Sequence, residues 1–237
     1  MEKTKIIILT LEEYPDRLKN LQSILSTFEN CGFIIEIFYG VNGKNIQKYD
    51  TQDENIKKLS YQDKSYYYDS TKRLNGKLMK NGELGAAWSH LEIYQKLSDD
   101  NDFDNYVVFE DDFELLTSLD YFINTLQNLP KDYDFCHICL SDWYPFLKKK
   151  QINEYFWTIE NFFFNRLTSY IVSKTGAKKL LKYSNNYINR PCDDLISNFY
   201  LLGDQNDSLN ILNFYVSSVF IFKHMDVPSV TENINNS

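Results

Sequence analysis

Three consecutive acids, Glu110, Asp111 and Asp112, follow directly on the apolar run Tyr106-Val107-Val108-Phe109. A buried strand reads this way when it leaves a sheet and delivers carboxylates to its carboxyl edge, where open α/β sheets bind ligands. Adjacent carboxylates repel one another, and a hard divalent cation such as Mn²⁺ or Mg²⁺ is the natural neutralising partner. A solvated acidic turn, with Glu114 beside it, is the plainer alternative. A second acidic pair, Asp193 and Asp194, follows Pro191-Cys192 and precedes Leu195, Ile196 and Phe199. Both acids fall in the first turn of a helix, where capping explains one and leaves the other to meet a substrate or take a proton. Arg17 opens the first helix, at the head of which a guanidinium meets a phosphate, or else pairs with Asp16 or Glu13.

The elements that must position these groups alternate strand and helix. Lys5 to Thr10 reads as a strand, and Leu18, Leu21, Leu25 and Phe28 then recur at helical spacing, with Pro15 in the tolerated first turn. Phe33 to Tyr39 reads as a second strand, closed by the turn Gly40-Val41-Asn42-Gly43. Residues 45 to 80 are polar, tyrosine-rich and poorly periodic, and read as a long irregular insertion of the kind that forms lids or binding loops.

From Glu83 the spacing of Leu84, Ala87, Leu91, Tyr94 and Leu97 predicts a helix, with Ser89 and His90 away from its most apolar stripe. An acidic link from Asp99 to Asp104 leads into the central strand. Beyond the triplet, Leu119, Phe122, Ile123 and Leu126 predict a helix ending before Pro130, and Tyr133 to Leu140 a strand. Cys136 and Cys139 bracket His137, but no second ligand pair lies at zinc spacing. Lys148-Lys149-Lys150 reads as a solvated loop, and Tyr155 to Phe164 as core packing or the wall of a groove. Leu167 to Val172 reads as a strand, capped at Ser173 into a helix bearing Ala177, Leu180 and Leu181. Ile211 to Phe222 supplies one or two last strands before His224.

The chain has 237 residues, 43% of them apolar and 24% charged, the balance of a soluble globular protein. No repeat or linker interrupts it, so residues 1–237 read as one domain. A net charge of -8 argues against nucleic acid as the main partner. Four scattered cysteines suit reduced thiols in a cytoplasmic protein. No apolar run is long enough to form a transmembrane segment, which leaves peripheral membrane contact open.

Taken together, these segments resemble glycosyltransferase family 25, which includes bacterial lipooligosaccharide galactosyltransferases and collagen hydroxylysine galactosyltransferases. Ile6-Ile7-Ile8-Leu9-Thr10-Leu11 with Pro15-Asp16-Arg17 is similar to the family's first strand and helix start, and Phe38 to Gly43 to its Ala-Val-Asp-Gly turn. Asn81 to His90 is similar to its Gly-Glu-Ile-Gly-Cys, two variable residues, Ser-His element. The acidic triplet follows at the family's distance, then a block like Thr168 to Leu181 and a Pro-x-Asp element at Pro191 to Asp194. Asn42, Ala86 and Gly40 depart from the usual Asp, Cys and Ala, and the first change removes a carboxylate from the expected donor pocket.

The resemblance implies a GT-A-like α/β/α sandwich with a mainly parallel central sheet. It implies transfer of a hexose, galactose first and glucose second, from a UDP-sugar to a hydroxyl of a glycan, glycolipid or glycoprotein acceptor, with inversion. On that reading Asp112, with Glu110 or Asp111, holds Mn²⁺ or Mg²⁺, and His224 is a further ligand. Asp193 or Asp194 serves as general base. Thr10, Arg17, Asn42, Gly82, Glu83, Ser89, His90, Glu110 and Asp111 form the nucleotide-sugar pocket. Two rivals stay open: a GT-A fold that has lost turnover and serves as a scaffold or binding module, and a metal-dependent sugar-nucleotide hydrolase.

Overall fold

The computed structural model describes residues 3–70, 78–139, 149–159, 167–202 and 212–225. In chain order the first elements are β1 (Thr4–Thr10), α1 (Pro15–Asn30), β2 (Ile34–Tyr39), β3 (Gln47–Asp50), β4 (Ile56–Tyr61), β5 (Lys64–Asp69) and α2 (Asn81–Asp99). Then come β6 (Asn105–Glu110), β7 (Phe113–Leu115), α3 (Leu119–Gln127), β8 (Phe135–His137), β9 (Lys149–Gln151) and β10 (Phe156–Ile159). The last are β11 (Ser169–Ser173), α4 (Lys174–Ser184), α5 (Cys192–Leu202), β12 (Phe214–Ser217) and β13 (Phe222–His224).

The central sheet has eight strands in the order β2-β1-β6-β11-β8-β12-β10-β9. Strands β1, β2, β6, β8, β9 and β12 share one direction, and β10 and β11 oppose them. This is the mainly parallel α/β sandwich that the resemblance implies. Alternation along each strand builds a core on both faces. Ile7, Leu9, Tyr106 and Val108 pack toward α2, α4 and α5. Ile6, Ile8, Val107 and Phe109 pack toward α1 and α3, where Leu21, Phe28 and Phe122 meet them.

One departure from the sequence reading matters for the site. The stretch read as an irregular insertion is a three-stranded antiparallel sheet, β3-β4-β5. Its alternation is hidden because Tyr66, Tyr67 and Tyr68 are one residue type: the outer two are buried at 9% and 6% exposure, and Tyr67 between them is open at 39%. Ser89 and His90, which lie away from the most apolar stripe of helix α2, are both buried. The helix is covered by the sheet on one side and by η-turn Gly43–Asn45, α4 and α5 on others, so polar side chains there are held by specific bonds. Lys149 and Lys150 belong to strand β9, while Lys148 and residues 160–166 lie outside the described residues. Among the described residues no helix is long and apolar enough to cross a membrane.

Candidate active site

The acidic triplet sits where β6 ends and the chain turns back into β7. Phe109 and Phe113 flank it, and their rings stack with centroids 4.3 Å apart. Phe222 of β13 meets Phe109 edge-on at 4.6 Å. These rings fasten the turn and lay β13 beside β7, with His224 opposite Phe113.

Alternation then separates the three acids. Glu110 shares its face with Tyr106 and Val108 and so points toward α2, where its Oε1 lies 3.3 Å from His90 Nε2. The other imidazole nitrogen, Nδ1, is 2.8 Å from the Tyr170 hydroxyl. Asp111 falls on the opposite face, toward α1. It accepts a 2.5 Å hydrogen bond from the Thr10 hydroxyl and pairs with the Arg17 guanidinium. Burial pushes the Asp111 carboxyl up to about 6, although the Thr10 hydroxyl and the Arg17 charge pull the other way. Asp112 completes the turn. Its Oδ2 is 3.1 Å from His224 Nε2 and 3.4 Å from Arg17 Nη2, and its backbone carbonyl accepts from Met225 N at 2.6 Å.

Of the residues expected to share a cation, the strand end aims Glu110 at His90, Asp111 pairs with Arg17, and Asp112 lies against His224. Among the described residues no group of three or more His, Cys, Asp or Glu side chains is spaced to hold a metal ion. The Asp112–His224 pair nevertheless suits a divalent ion: Asp112 Oδ1 is buried with no hydrogen-bond partner among the described residues, and a carboxylate oxygen in that state beside an imidazole matches the donors such ions take.

A second group of acids lines a cleft of about 430 Å³ at the carboxyl end of β6, where Glu110 meets Asp193 and Asp194 from the first turn of α5. Glu83, Thr168 and His224 complete the wall. Burial and the neighbouring Glu110 push the Asp193 carboxyl up to about 6. Burial, Asp193 and Glu83 push Asp194 up to about 7, against the opposing pull of Arg190. The fold thus brings Glu83, Glu110, Asp193, Asp194 and His224, each singled out in the sequence, into one cleft, and Asp112 to its border through His224.

Of the other predicted pocket residues, Ser89, Asn42 and Glu83 are held by neighbouring residues of the turn after β2, of α2 and of the stretch before α1. Ser89 Oγ accepts from Val41 N at 2.8 Å and donates to the Gly85 carbonyl at 2.7 Å. Asn42 Oδ1 accepts from Lys44 N at 3.1 Å, and its Nδ2 donates to Glu13 Oε1 at 2.8 Å. An aspartate at 42 would face Glu13 as a like charge, so the amide is consistent with its neighbour. Gly82 is buried in the first turn of α2, and Glu83 Oε2 accepts from Lys80 N at 2.7 Å. A Cβ on Gly43 would overlap the Asn81 carbonyl, and one on Gly85 would stand 2.5 Å from the Val41 carbonyl, so the turn after β2 lies directly on α2.

Sequence reasoning did not place Tyr170 or Arg190 at the site, and offered Glu13 as a partner of Arg17, whereas Arg17 pairs with Asp111 and Asp112 and Glu13 holds Asn42. Tyr170 and Glu13 meet their partners only through the fold, at separations of 80 and 29 residues. Arg190 did carry a signal, as the cation beside the Pro-x-Asp element.

The family model described as glycosyltransferase family 25 (LPS biosynthesis protein) matches residues 3–196. No curated protein matches the chain significantly in sequence. Among solved structures, a mutant of Drosophila β-1,4-galactosyltransferase 7 in complex with manganese, UDP-Gal and xylobiose is similar at TM-score 0.45 and 13% identity, over 96% of this chain and 72% of that one. A glycosyltransferase involved in glycosylation of the major capsid of PBCV-1 is similar at TM-score 0.44 and 8% identity, over 99% and 97%.

Proposed function

Because the chain belongs to glycosyltransferase family 25, we propose that it moves a hexose, galactose or secondarily glucose, from a UDP-sugar to a hydroxyl of a glycan, glycolipid or glycoprotein acceptor, with inversion at the anomeric carbon. The observation that carries this reading is the cleft at the end of β6, where Glu110, Asp193 and Asp194 converge with His224 beside Asp112.

Asp194 is the preferred general base and Asp193 the second choice. A carboxyl raised to about 7 takes a proton near neutral pH more readily than an ordinary one. The acceptor oxygen attacks the anomeric carbon, the bond to the diphosphate breaks with its electron pair, and the hydroxyl proton passes to the carboxylate. Such proton transfer contributes about 10² to 10⁴ in rate. Asp112 and His224 would hold Mn²⁺ or Mg²⁺, which supplies charge neutralisation for the leaving diphosphate. Thr10, Arg17, Asn42 and Ser89 act mainly as the frame that fixes the acidic turn and the glycine turn around the donor. We place the activity in one cytoplasmic domain, in peripheral contact with a membrane where the acceptor is lipid-linked.

Thermal melting with UDP, UDP-galactose and UDP-glucose, each with and without Mn²⁺, tests the donor site, since a ligand that binds only the native state raises Tm. A metal-dependent rise with a UDP-sugar, followed by UDP release that an acceptor stimulates, supports the transferase. Acceptor-independent release would replace it with a hydrolase, and no nucleotide effect would leave a binding module.

A further inference from the structure

The small sheet β3-β4-β5 turns an ordered row of side chains outward. Its register sets Tyr49 opposite Lys58 and Lys58 opposite Tyr67, and directly opposed residues of antiparallel strands share a face. A bridge then pairs Tyr67 with Tyr187, fixed by Tyr67 N to the Asn186 carbonyl and Ile188 N to the Tyr67 carbonyl, both 2.8 Å. The two rings lie with centroids 5.7 Å apart. Tyr49, Lys58, Tyr67 and Tyr187 thus cross four backbone segments in line, a span of roughly 15 Å at the usual strand spacing.

Packing does not account for this row. The same strands send Leu59, Tyr66 and Tyr68 into the core, while Tyr49 and Tyr67 stay 48% and 39% exposed. Gln47 and Ser65 lie on the same face, one row along, so the rings are bordered by amide and hydroxyl groups. The row borders a hollow whose lining residues Arg190 and Leu195 adjoin Pro191 and Asp194 of the cleft in sequence. Asp69 N donates to Asn189 Oδ1 at 2.8 Å, which ties the sheet to the segment ending at Arg190. The hollow measures about 290 Å³ and is lined by Tyr183, Tyr187, Asn189, Arg190 and Leu195, and Arg190 acts electrostatically on Asp194.

We infer that this face is an acceptor platform that binds an extended oligosaccharide through Tyr49, Tyr67 and Tyr187, with its reacting end lying at Asp194. The apolar faces of successive pyranose rings match separated tyrosine rings, and their hydroxyls match the amide, hydroxyl and ammonium groups between them. The inference rests on the glycosyl-transfer reading and adds the class of acceptor, a chain of several sugars in preference to a single sugar or a peptide.

The test uses the full chain on an array of hexose oligosaccharides, from disaccharides to octasaccharides with lipooligosaccharide core fragments, printed beside hydroxylysine-containing collagen-like peptides. Longer glycans should be retained over disaccharides, and the double variant Tyr49→Ala/Tyr67→Ala should bind them about tenfold more weakly, a loss of about 1.4 kcal/mol. Tyr67→Phe, which keeps the ring, should retain most of the binding, and circular dichroism melts check that each variant folds. Unchanged binding by a folded double variant, retention of the peptides alone, or retention of no glycan would overturn the platform. Melting of the same protein with UDP-sugars reads the donor site separately: a nucleotide shift without glycan retention sinks the platform alone, and glycan retention without a shift sinks the transferase reading alone.

Discussion

Glu110 ends β6 with its carboxylate 3.3 Å from the Nε2 of His90, an imidazole whose Nδ1 is 2.8 Å from the Tyr170 hydroxyl. His90 is fully buried, so its two ring nitrogens depend on these partners, and Glu110 links it to the cleft. His90→Leu removes both bonds and leaves Glu110 and Tyr170 without them. It should lower the unfolding free energy by about 1 to 3 kcal/mol, read from urea denaturation. His90→Gln, which keeps hydrogen-bonding capacity, should cost less. Equal losses for the two variants would show that the imidazole only fills space.

Asp112 should be the residue on which metal response depends. In the wild-type chain Mn²⁺ at about 100 times its Kd adds about 2.7 kcal/mol of stability, seen as a rise in Tm. Asp112→Asn and His224→Ala should each remove most of that rise, while Asp193→Asn should retain it.

The contact between the glycine turn and α2 should be intolerant of a single methyl group. Gly43→Ala drives a Cβ into the Asn81 carbonyl, and Gly85→Ala brings one within 2.5 Å of the Val41 carbonyl. Each should destabilise by about 1 to 3 kcal/mol. Chemical denaturation midpoints check this, and a neutral Gly43→Ala would mean that the turn shifts off the helix freely.

Asp193 and Asp194 set a pH dependence of defined sign. Their folded-state values, about 6 and about 7, lie above the ordinary 3.8, so between these limits the native state binds more protons than the unfolded one. Their contribution to stability therefore falls as pH rises from about 4 to about 7 and is level above that. Asp194→Asn should raise Tm more at pH 8 than at pH 5, and Asp193→Asn likewise over a window ending near 6. If Asp194 is the base, kcat/KM of the wild type should rise with pH through about 7, and Asp194→Asn should abolish that limb along with most of the activity.

The sequence carried the strands and helices whose period is written in contrasting residue types. Ile6 to Leu9, the α1 stripe from Leu18 to Phe28 and the run before Glu110 all fall where their apolar pattern puts them. The tyrosine strands were illegible because a tyrosine facing in and a tyrosine facing out are written alike. The site was legible as a set of residue types: Glu110, Asp193 and Asp194 do share a cleft. Their division of labour was not, because it depends on a turn within the triplet and on partners such as Tyr170 and Glu13 that only tertiary structure brings near.

The small sheet of β7 and β13 has a consequence for synthesis. His224 reaches Asp112 only when β13 has paired with β7, and β12 enters the large sheet between β8 and β10. A nascent chain halted before residue 212 would present the acidic turn without its imidazole and the sheet with a gap beside β8. Such a ribosome-bound chain should be protease-sensitive, acquiring resistance once the segment through Met225 is free to pair with β7 and to fill the gap beside β8.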